Sequence, residues 1–254
     1  MLTALRQSDF IKVLARDSER THAPFLCPSC RREVILRKGQ IKVHNFAHKP
    51  PVTCTRGQGM SEQHYQVQLA IFDALSQEGN VTELEMERDF GSSIPDVFAR
   101  ISGTPVAIEI QRSSLSVNDI RARTQNYHQL GISVLWIGLQ NPNLATSKYN
   151  PSAWERWCHA TYYGRVYYWE QSQVLKVVHF DQYQIQVPHS TWYQDGSEQS
   201  AGGYEKRSKR WCTPRLGVPV LISRSFQHKN REAWSGGKVV VPECSIYLDR
   251  QKFY

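Results

Sequence analysis

The stretch that decides the fold is Ile94-Pro95-Asp96-Val97-Phe98 together with the run Val106-Ala107-Ile108-Glu109-Ile110-Gln111. A short turn at Ser102–Pro105 lies between them, and this arrangement predicts an antiparallel hairpin. Pairing within the hairpin would place Asp96 beside Glu109. Two carboxylates at one point repel each other, and a hard divalent cation with oxygen ligands is the usual reason for keeping them together.

The second strand of this hairpin carries most of the candidate catalytic residues. Glu109 and Gln111 are two apart, so they project from the same face of the strand. We expect Asp96, Glu109 and the backbone carbonyl of Ile110 to bind Mg²⁺ or Mn²⁺, which would polarise a phosphate and activate a water. Gln111 can be neither base nor cation, but its amide can orient that water. Taken singly, Asp96 is better explained as a turn or cap residue and Glu109 as a solvated strand residue; it is their combination with Gln111 in an otherwise apolar strand that favours a site.

The segments around the hairpin predict a helix, three strands, a helix and a strand, in that order. Outside the hairpin the elements are a helix from Ser61 to about Glu78, a strand at Val81–Glu87, a helix from Ser116 to Gly131 and a strand at Ile132–Gly138. Glu62, in the first turn of the first helix, is the expected outer ligand of a second ion. Glu87 is the alternative.

A zinc site is predicted in the first 60 residues. Four soft or borderline ligands follow one another there: Cys27, Cys30, His48 and Cys54. The Cys-x2-Cys pair can hold one side of a tetrahedral ion, and a hairpin with its turn at Lys38-Gly39 lies between the two pairs, as in a zinc ribbon. Four protein ligands leave no position for water, so the zinc would be structural. His44 could replace His48, and the alternative is that the cysteines are small core residues.

Further residues are candidates for holding phosphates. Arg123 and Tyr127 are four apart and therefore share one face of the second helix. His64 lies on the first helix and Arg112 directly follows Gln111. The alternatives are a surface arginine beside a core tyrosine, and a core histidine at position 64.

The order of these motifs resembles the PD-(D/E)XK nuclease core and, more specifically, the competence protein CoiA family. Five features carry the resemblance: Cys27-Pro28-Ser29-Cys30, Asn45-Phe46-Ala47-His48, Ser61-x-x-His64, Pro95-Asp96-Val97, and Glu109-Ile110-Gln111 followed by Arg123-x-x-x-Tyr127. The resemblance implies a restriction-endonuclease-like αβββαβ fold with a zinc-ribbon-like domain before it. It covers the first half to two-thirds of the chain.

The chain departs from the family pattern at three positions. Asn45 stands where the family usually has the first histidine of His-Phe-Ala-His, which bears on the zinc ligands. Gln68 stands where a lysine is usual on the first helix. Gln111 replaces the usual lysine of the nuclease motif, a variant known among such nucleases.

The charge distribution favours a polyanionic partner. Residues 1–60 carry 11 Lys and Arg against 4 Asp and Glu, residues 61–200 carry 9 against 15, and residues 201–254 carry 11 against 4. Basic flanks around an acidic centre suit an enzyme whose flanks bind phosphates while its carboxylates bind metal. No apolar run approaches the ~20 residues that span a bilayer, and no signal segment is apparent, so we expect a cytoplasmic protein without a membrane partner.

We expect three regions: a zinc-ribbon-like domain at 1–60, a nuclease core at 61–140, and an aromatic, basic, β-rich region at 141–254, within which Asp195–Arg210 is expected to be mobile. The resemblance implies a metal-dependent DNA nuclease acting on incoming single-stranded DNA in uptake and recombination, beside a RecA-type recombinase or another DNA-processing protein. Repair and phage defence are equally compatible. The competing hypotheses are a non-cleaving DNA-binding or recombinase-assisting module and a zinc-stabilised protein adaptor; the oligomeric state stays open.

Overall fold

The computed structural model describes residues 1–54, 56–57, 60–111 and 115–251. The first region forms a five-stranded antiparallel sheet in the order β2-β1-β3-β4-β5. Its strands are β1 (Thr3–Arg6), β2 (Lys12–Leu14), β3 (Phe25–Leu26), β4 (Glu33–Arg37) and β5 (Asn45–His48). The strand that returns after β4 is therefore the Asn-Phe-Ala-His segment itself, later than a turn at Lys38-Gly39 predicts.

The middle region contains, in sequence, a helix, three strands, a helix and a strand. These elements are α1 (Glu62–Ser76), β6 (Val81–Met86), β7 (Val97–Ile101), β8 (Thr104–Gln111), α2 (Val117–Gln129) and β9 (Ser133–Gly138). β6, β7 and β8 are antiparallel neighbours, and β9 lies parallel to β8. Every residue of β9 is buried, as its apolar composition predicts for a strand covered on both faces.

Both long helices begin at the serines that the sequence indicates. The Ser61 hydroxyl accepts a hydrogen bond from the backbone N–H of His64, at 3.2 Å, and Ser116 accepts one from Asp119 at the same distance. Such caps satisfy backbone donors that have no partner within the helix. The caps fix where each helix starts, and hence which of its side chains face the sheet.

The C-terminal region continues the same sheet. Its elements are α3 (Ala153–Thr161), β10 (Val166–Gln171), β11 (Val174–Val187), β12 (Ser190–Gln194), β13 (Ser197–Ala201), β14 (Tyr204–Leu216), β15 (Val220–Leu221), α4 (Ile222–Ser225), β16 (Phe226–Arg231), β17 (Trp234–Gly236), β18 (Val239–Val241) and β19 (Cys244–Asp249). β10 and β19 both pair in parallel with β9, and β11 and β14 extend the sheet beyond β10. The Asp195–Arg210 segment, expected to be mobile, contains β13 and half of β14, whose residues here are almost all exposed.

The N-terminal sheet is attached to the end of β6 by polar contacts. The buried Glu87 carboxylate accepts hydrogen bonds from the backbone N–H of Leu2 at 2.7 Å and from the N–H and hydroxyl of Thr3 at 3.2 and 2.6 Å. Lys12 reaches the Glu85 carboxylate at 2.6 Å. Hydrogen bonds to a buried charge are among the stronger ones, so they hold the sheet in a defined place on the core.

Two histidines meet where α3 packs on β11. The ring Nε2 of His159 accepts a hydrogen bond from the backbone N–H of Phe180 at 3.2 Å, and the ring of His179 is 4.8 Å from that of His159, centroid to centroid. Burial, followed by the neighbouring His179, lowers the pKa of His159 to about 4. The folded state therefore favours the neutral form of the His159 ring.

This pairing predicts a pH dependence of stability. Below pH 6.5 the unfolded chain binds a proton at His159 that the folded chain does not, so stability falls as the pH is lowered towards 4. We expect His159 to account for about 2–3 kcal/mol of that loss in the free energy of unfolding. Urea titrations at pH 7 and pH 4.5 of His159→Gln should show a smaller pH difference than the wild type, whereas the exposed His189→Gln should match it. Equal pH differences in all three proteins would contradict the assignment.

Candidate functional site

A cavity of about 470 Å³ opens where β7 and β8 meet the two long helices. Its lining includes polar side chains from α1, from the segment before β7, from β8 and from α2: His64, Asp96, Glu109, Gln111 and Arg123. With Ile110, six of the sequence-predicted site residues line one cavity. The Val97–Ile108 pairing of the hairpin brings Asp96 next to Glu109, which is how residues distant along the chain meet.

Asp96 is buried, with 6% of its surface exposed, and both of its carboxylate oxygens accept hydrogen bonds. Oδ1 lies 2.9 Å from Nε2 of His64, and Oδ2 accepts the backbone N–H of Ile110 at 2.8 Å. Burial alone would raise the pKa of this carboxyl, but His64, the Ile110 N–H and the more distant Arg123 together lower it. Asp96 is therefore held as a carboxylate at neutral pH.

Glu109 is buried on the neighbouring strand and is held by α2. Arg123 and the hydroxyl of Tyr127 both donate to its Oε1, each at 2.5 Å. The other oxygen, Oε2, takes part in neither of these hydrogen bonds. Burial raises the pKa of Glu109 to about 7, with the nearby Asp96 adding to the effect and Arg123 and Tyr127 opposing it.

Each of the two acids, Asp96 and Glu109, is contacted by two side chains that lie four residues apart on one helix. On α1, His64 contacts the Asp96 carboxylate, and the amide of Gln68 donates to the backbone carbonyl of Asp96 at 2.7 Å. On α2, Arg123 and Tyr127 form the pair on Glu109. Residues at this spacing lie one above the other on a helix, so a single helix face can hold each acid.

Three residues that the sequence predicts as phosphate ligands contact the two acids in the structure. His64, Arg123 and Tyr127 point at the carboxylates, and Arg123 also donates to the carbonyl of Ile94 at 2.8 Å. Sequence reasoning noted Gln68 only as a departure from a family pattern and missed its role beneath Asp96. The i,i+4 spacing from His64 was the available signal.

Two other predicted acids, Glu62 and Glu87, hold backbone groups of the N-terminal region. The Glu62 carboxylate accepts the backbone N–H of Val43 and lines a neighbouring cavity, so the structure does not place it as an outer metal ligand. Glu87 lies at the cavity rim, but its carboxylate oxygens hold the first residues of the chain. Arg112 lies outside the described residues.

The donor set suits a hard cation. Each carboxylate oxygen has two lone pairs, so Asp96 keeps acceptor capacity beyond its two hydrogen bonds. A magnesium ion typically takes one or two carboxylates and keeps several waters, and the cavity has room for such waters. Asp96, Glu109 and the Ile110 carbonyl are the groups that could hold it.

The four predicted zinc ligands also come together. The ligand atoms of Cys27, Cys30, His48 and Cys54 all lie within 4.8 Å of one another, and Sγ of Cys30 is 3.3 Å from Nε2 of His48. Zinc bonds of about 2.0–2.3 Å in a tetrahedron bring ligands to this kind of separation. The cluster could therefore hold a zinc ion, with its ligand atoms drawn slightly closer together. His44 instead contacts the carbonyl of Gly39.

Comparisons with known proteins identify the family of this chain. The family model "Competence protein CoiA, nuclease-like domain" matches residues 61–194, and "Competence protein CoiA, N-terminal domain" matches residues 12–56. The chain belongs to the CoiA family. Among curated proteins, "Competence protein CoiA" of Bacillus subtilis (strain 168) is 29% identical over 114 residues, which is 44% of this chain and 31% of that protein.

The CoiA-family match covers the nuclease-like and N-terminal regions, while the chain spans about a third of the length of the curated relative. No solved structure matches the chain. Among the described residues, no helix has both the length and the apolar character needed to cross a membrane. The mixed α/β fold and the Cys/His cluster are thus properties of a CoiA-family protein with a nuclease-like domain.

The cysteine knuckle of this CoiA-family chain touches the core near the cavity. The Ser29 hydroxyl, between Cys27 and Cys30, donates to the Asp89 carboxylate at 3.2 Å, and Arg56 donates to the Ser29 hydroxyl at 3.0 Å. Arg56 also lines the carboxylate cavity. The metal cluster and the cavity rim are therefore parts of one connected structure.

The cluster predicts about one tightly held zinc ion per chain. Cys30→Ser should lose zinc and lower the free energy of unfolding, because a structural zinc stabilises the fold that presents its ligands. Elemental analysis of the purified protein measures the zinc content, and urea titration measures the stability. Cys212→Ser removes a half-buried cysteine outside the cluster and should leave the zinc content unchanged. A wild-type protein without zinc, or a Cys30→Ser protein that keeps it, would contradict this assignment.

Proposed function

We propose that the protein is a metal-dependent DNA nuclease with a PD-(D/E)XK-type site, in which Asp96 and Glu109 hold Mg²⁺ or Mn²⁺. The observation that carries the proposal is the convergence of two buried carboxylates, one just before β7 and one on β8, beside Gln111, in a cavity open to solvent. The matched nuclease-like family domain supports the same conclusion.

The energetics favour a functional origin for this arrangement. Burying a carboxylate costs several kcal/mol unless it is paired and hydrogen-bonded, and two adjacent carboxylates also repel each other. A chain that needed only a stable core would fill these strand positions with apolar residues, as it does at Ile108 and Leu135. The hydrogen bonds from side chains of α1 and α2 offset this cost and keep both acids in place.

Each residue of the site has a defined task in phosphodiester hydrolysis. The bound cation would polarise the scissile phosphate and lower the pKa of a water. His64 and the Ile110 N–H orient Asp96, while Arg123 and Tyr127 orient Glu109. Gln111 offers its amide to position water or a phosphate oxygen in place of the usual lysine.

The biological setting is also a proposal. The similar B. subtilis protein is named for competence, which favours a role in the uptake and recombination of DNA, in the cytoplasm and beside a RecA-type recombinase. Repair or defence against phage would use the same chemistry. The three-region division into 1–60, 61–140 and 141–254 is retained as a working hypothesis for the organisation of this enzyme.

A second candidate function rests on Gln111. A lysine at this position would stabilise charge on the phosphate, and an uncharged amide does not. The observation favours a non-cleaving DNA-binding or recombinase-assisting module built on the same fold. The two functions differ in whether any divalent ion supports cleavage.

Cleavage of labelled single- and double-stranded DNA tests the proposal. We expect cutting with Mg²⁺ or Mn²⁺ and none in metal-free buffer; a strong chelator is avoided because it would also remove zinc. Asp96→Asn and Glu109→Gln should lower the rate by about 100-fold or more, because each removes charge from the cation site.

The matched controls are Asp195→Asn and Glu198→Gln, which make the same changes on an exposed hairpin and should cut at the wild-type rate. Cutting that survives both site substitutions would place the activity elsewhere. A wild-type protein that binds DNA but cuts under no ion would establish the binding module instead.

A further inference from the structure

A second, larger cavity lies on the N-terminal sheet, away from the carboxylates. It has a volume of about 1140 Å³ and follows β4 and the segment after it. Five cations line it: Arg20, Arg37, Lys38, Lys42 and Lys49. We call this surface the N-terminal groove. Two apolar side chains stand among these cations, Ile35 with 44% and Ile41 with 95% of its surface exposed.

Two of the cations in the N-terminal groove are available for a ligand. Lys49 pairs with Glu33 at 2.6 Å and Lys38 with Glu19 at 2.9 Å. Arg37 and Lys42 are exposed, and neither forms an ion pair with a carboxylate in the part of the chain that the structure describes.

The N-terminal groove continues to the candidate active site. A cavity of about 380 Å³ shares Arg37 and Lys42 with the groove, and it shares Arg56 and Met60 with the carboxylate cavity. The one acid in this connecting cavity, among the residues described, is Glu62, whose carboxylate accepts the Val43 N–H. The three cavities therefore lie next to one another, from the exposed cations to the buried carboxylates.

We infer that the N-terminal groove binds single-stranded DNA and leads it to the carboxylate cavity. Phosphates are the ligands that spaced lysines and arginines bind, and a chain-like ligand is the kind that fills connected cavities. Exposed isoleucines between the cations suit a strand whose bases are free, because the bases of a duplex are stacked inside it. The choice of DNA rests on the proposed function; the groove itself rests on its own charges and shape.

Binding without cleavage tests this inference. The probe is a fluorescent 20-nucleotide DNA strand, measured by anisotropy against the full-length Asp96→Asn protein, without added divalent ion, over a series of salt concentrations. Adding Arg37→Gln and Lys42→Gln should weaken binding about tenfold or more. It should also reduce the slope of log affinity against log salt by about 1.4, since each lost phosphate contact on a single strand contributes about 0.7.

The control adds Lys148→Gln and Lys176→Gln, two lysines outside the groove and outside both basic flanks, and should leave affinity and slope unchanged. Zinc content and the unfolding midpoint verify that each protein is folded. Groove and control variants that bind alike would overturn the inference. A duplex that binds as tightly and responds equally would overturn the preference for a single strand, and a tighter complex with RNA of the same sequence would overturn the assignment to DNA.

The two proposals fail separately. If the wild type cuts DNA but the groove substitutions leave binding unchanged, the nuclease stands and the groove inference is wrong. If the wild type cuts nothing but the groove substitutions abolish binding to the strand, the groove stands and the nuclease proposal is wrong.

Discussion

The structure depends on keeping two buried carboxylates next to each other, Asp96 just before β7 and Glu109 on β8. Neither acid could stay there without compensation, because burial and mutual repulsion both oppose the charged forms. The compensation is divided between the two helices that flank the strands. The serine caps also matter for the site, because the residue at which α1 or α2 begins determines which helix face meets each acid.

The two acids are held differently, and the difference gives them different electrostatic states. Asp96 receives one donor on each oxygen, including a backbone N–H, and the pKa of its carboxyl is lowered. Glu109 receives both donors on one oxygen, and burial still raises its pKa to about 7. A cation arriving at this site would therefore meet one carboxylate already charged and another that its own charge would help to ionise.

Much of this arrangement could be predicted from the sequence. Local patterns predict the hairpin, the serine caps and the buried strand β9, because alternation, turn residues and capping are read over a few positions. The side chains that contact the two acids were harder to predict. Arg123 and Tyr127 were correctly placed on one helix face, but only the packing of α2 shows that this face meets Glu109. The sequence could not show which way Glu62 points, because a first-turn residue can face either side of its helix start; here its carboxylate accepts the backbone N–H of Val43.

The N-terminal sheet is attached to the core close to the candidate site. Glu87 joins that sheet to the core, because its carboxylate accepts hydrogen bonds from Leu2 and Thr3. Ser29 and Arg56 make a second attachment beside the cysteine knuckle. The Cys/His cluster and the candidate catalytic site are therefore connected, because Arg56 donates to Ser29 between two of the cysteines and also lines the carboxylate cavity.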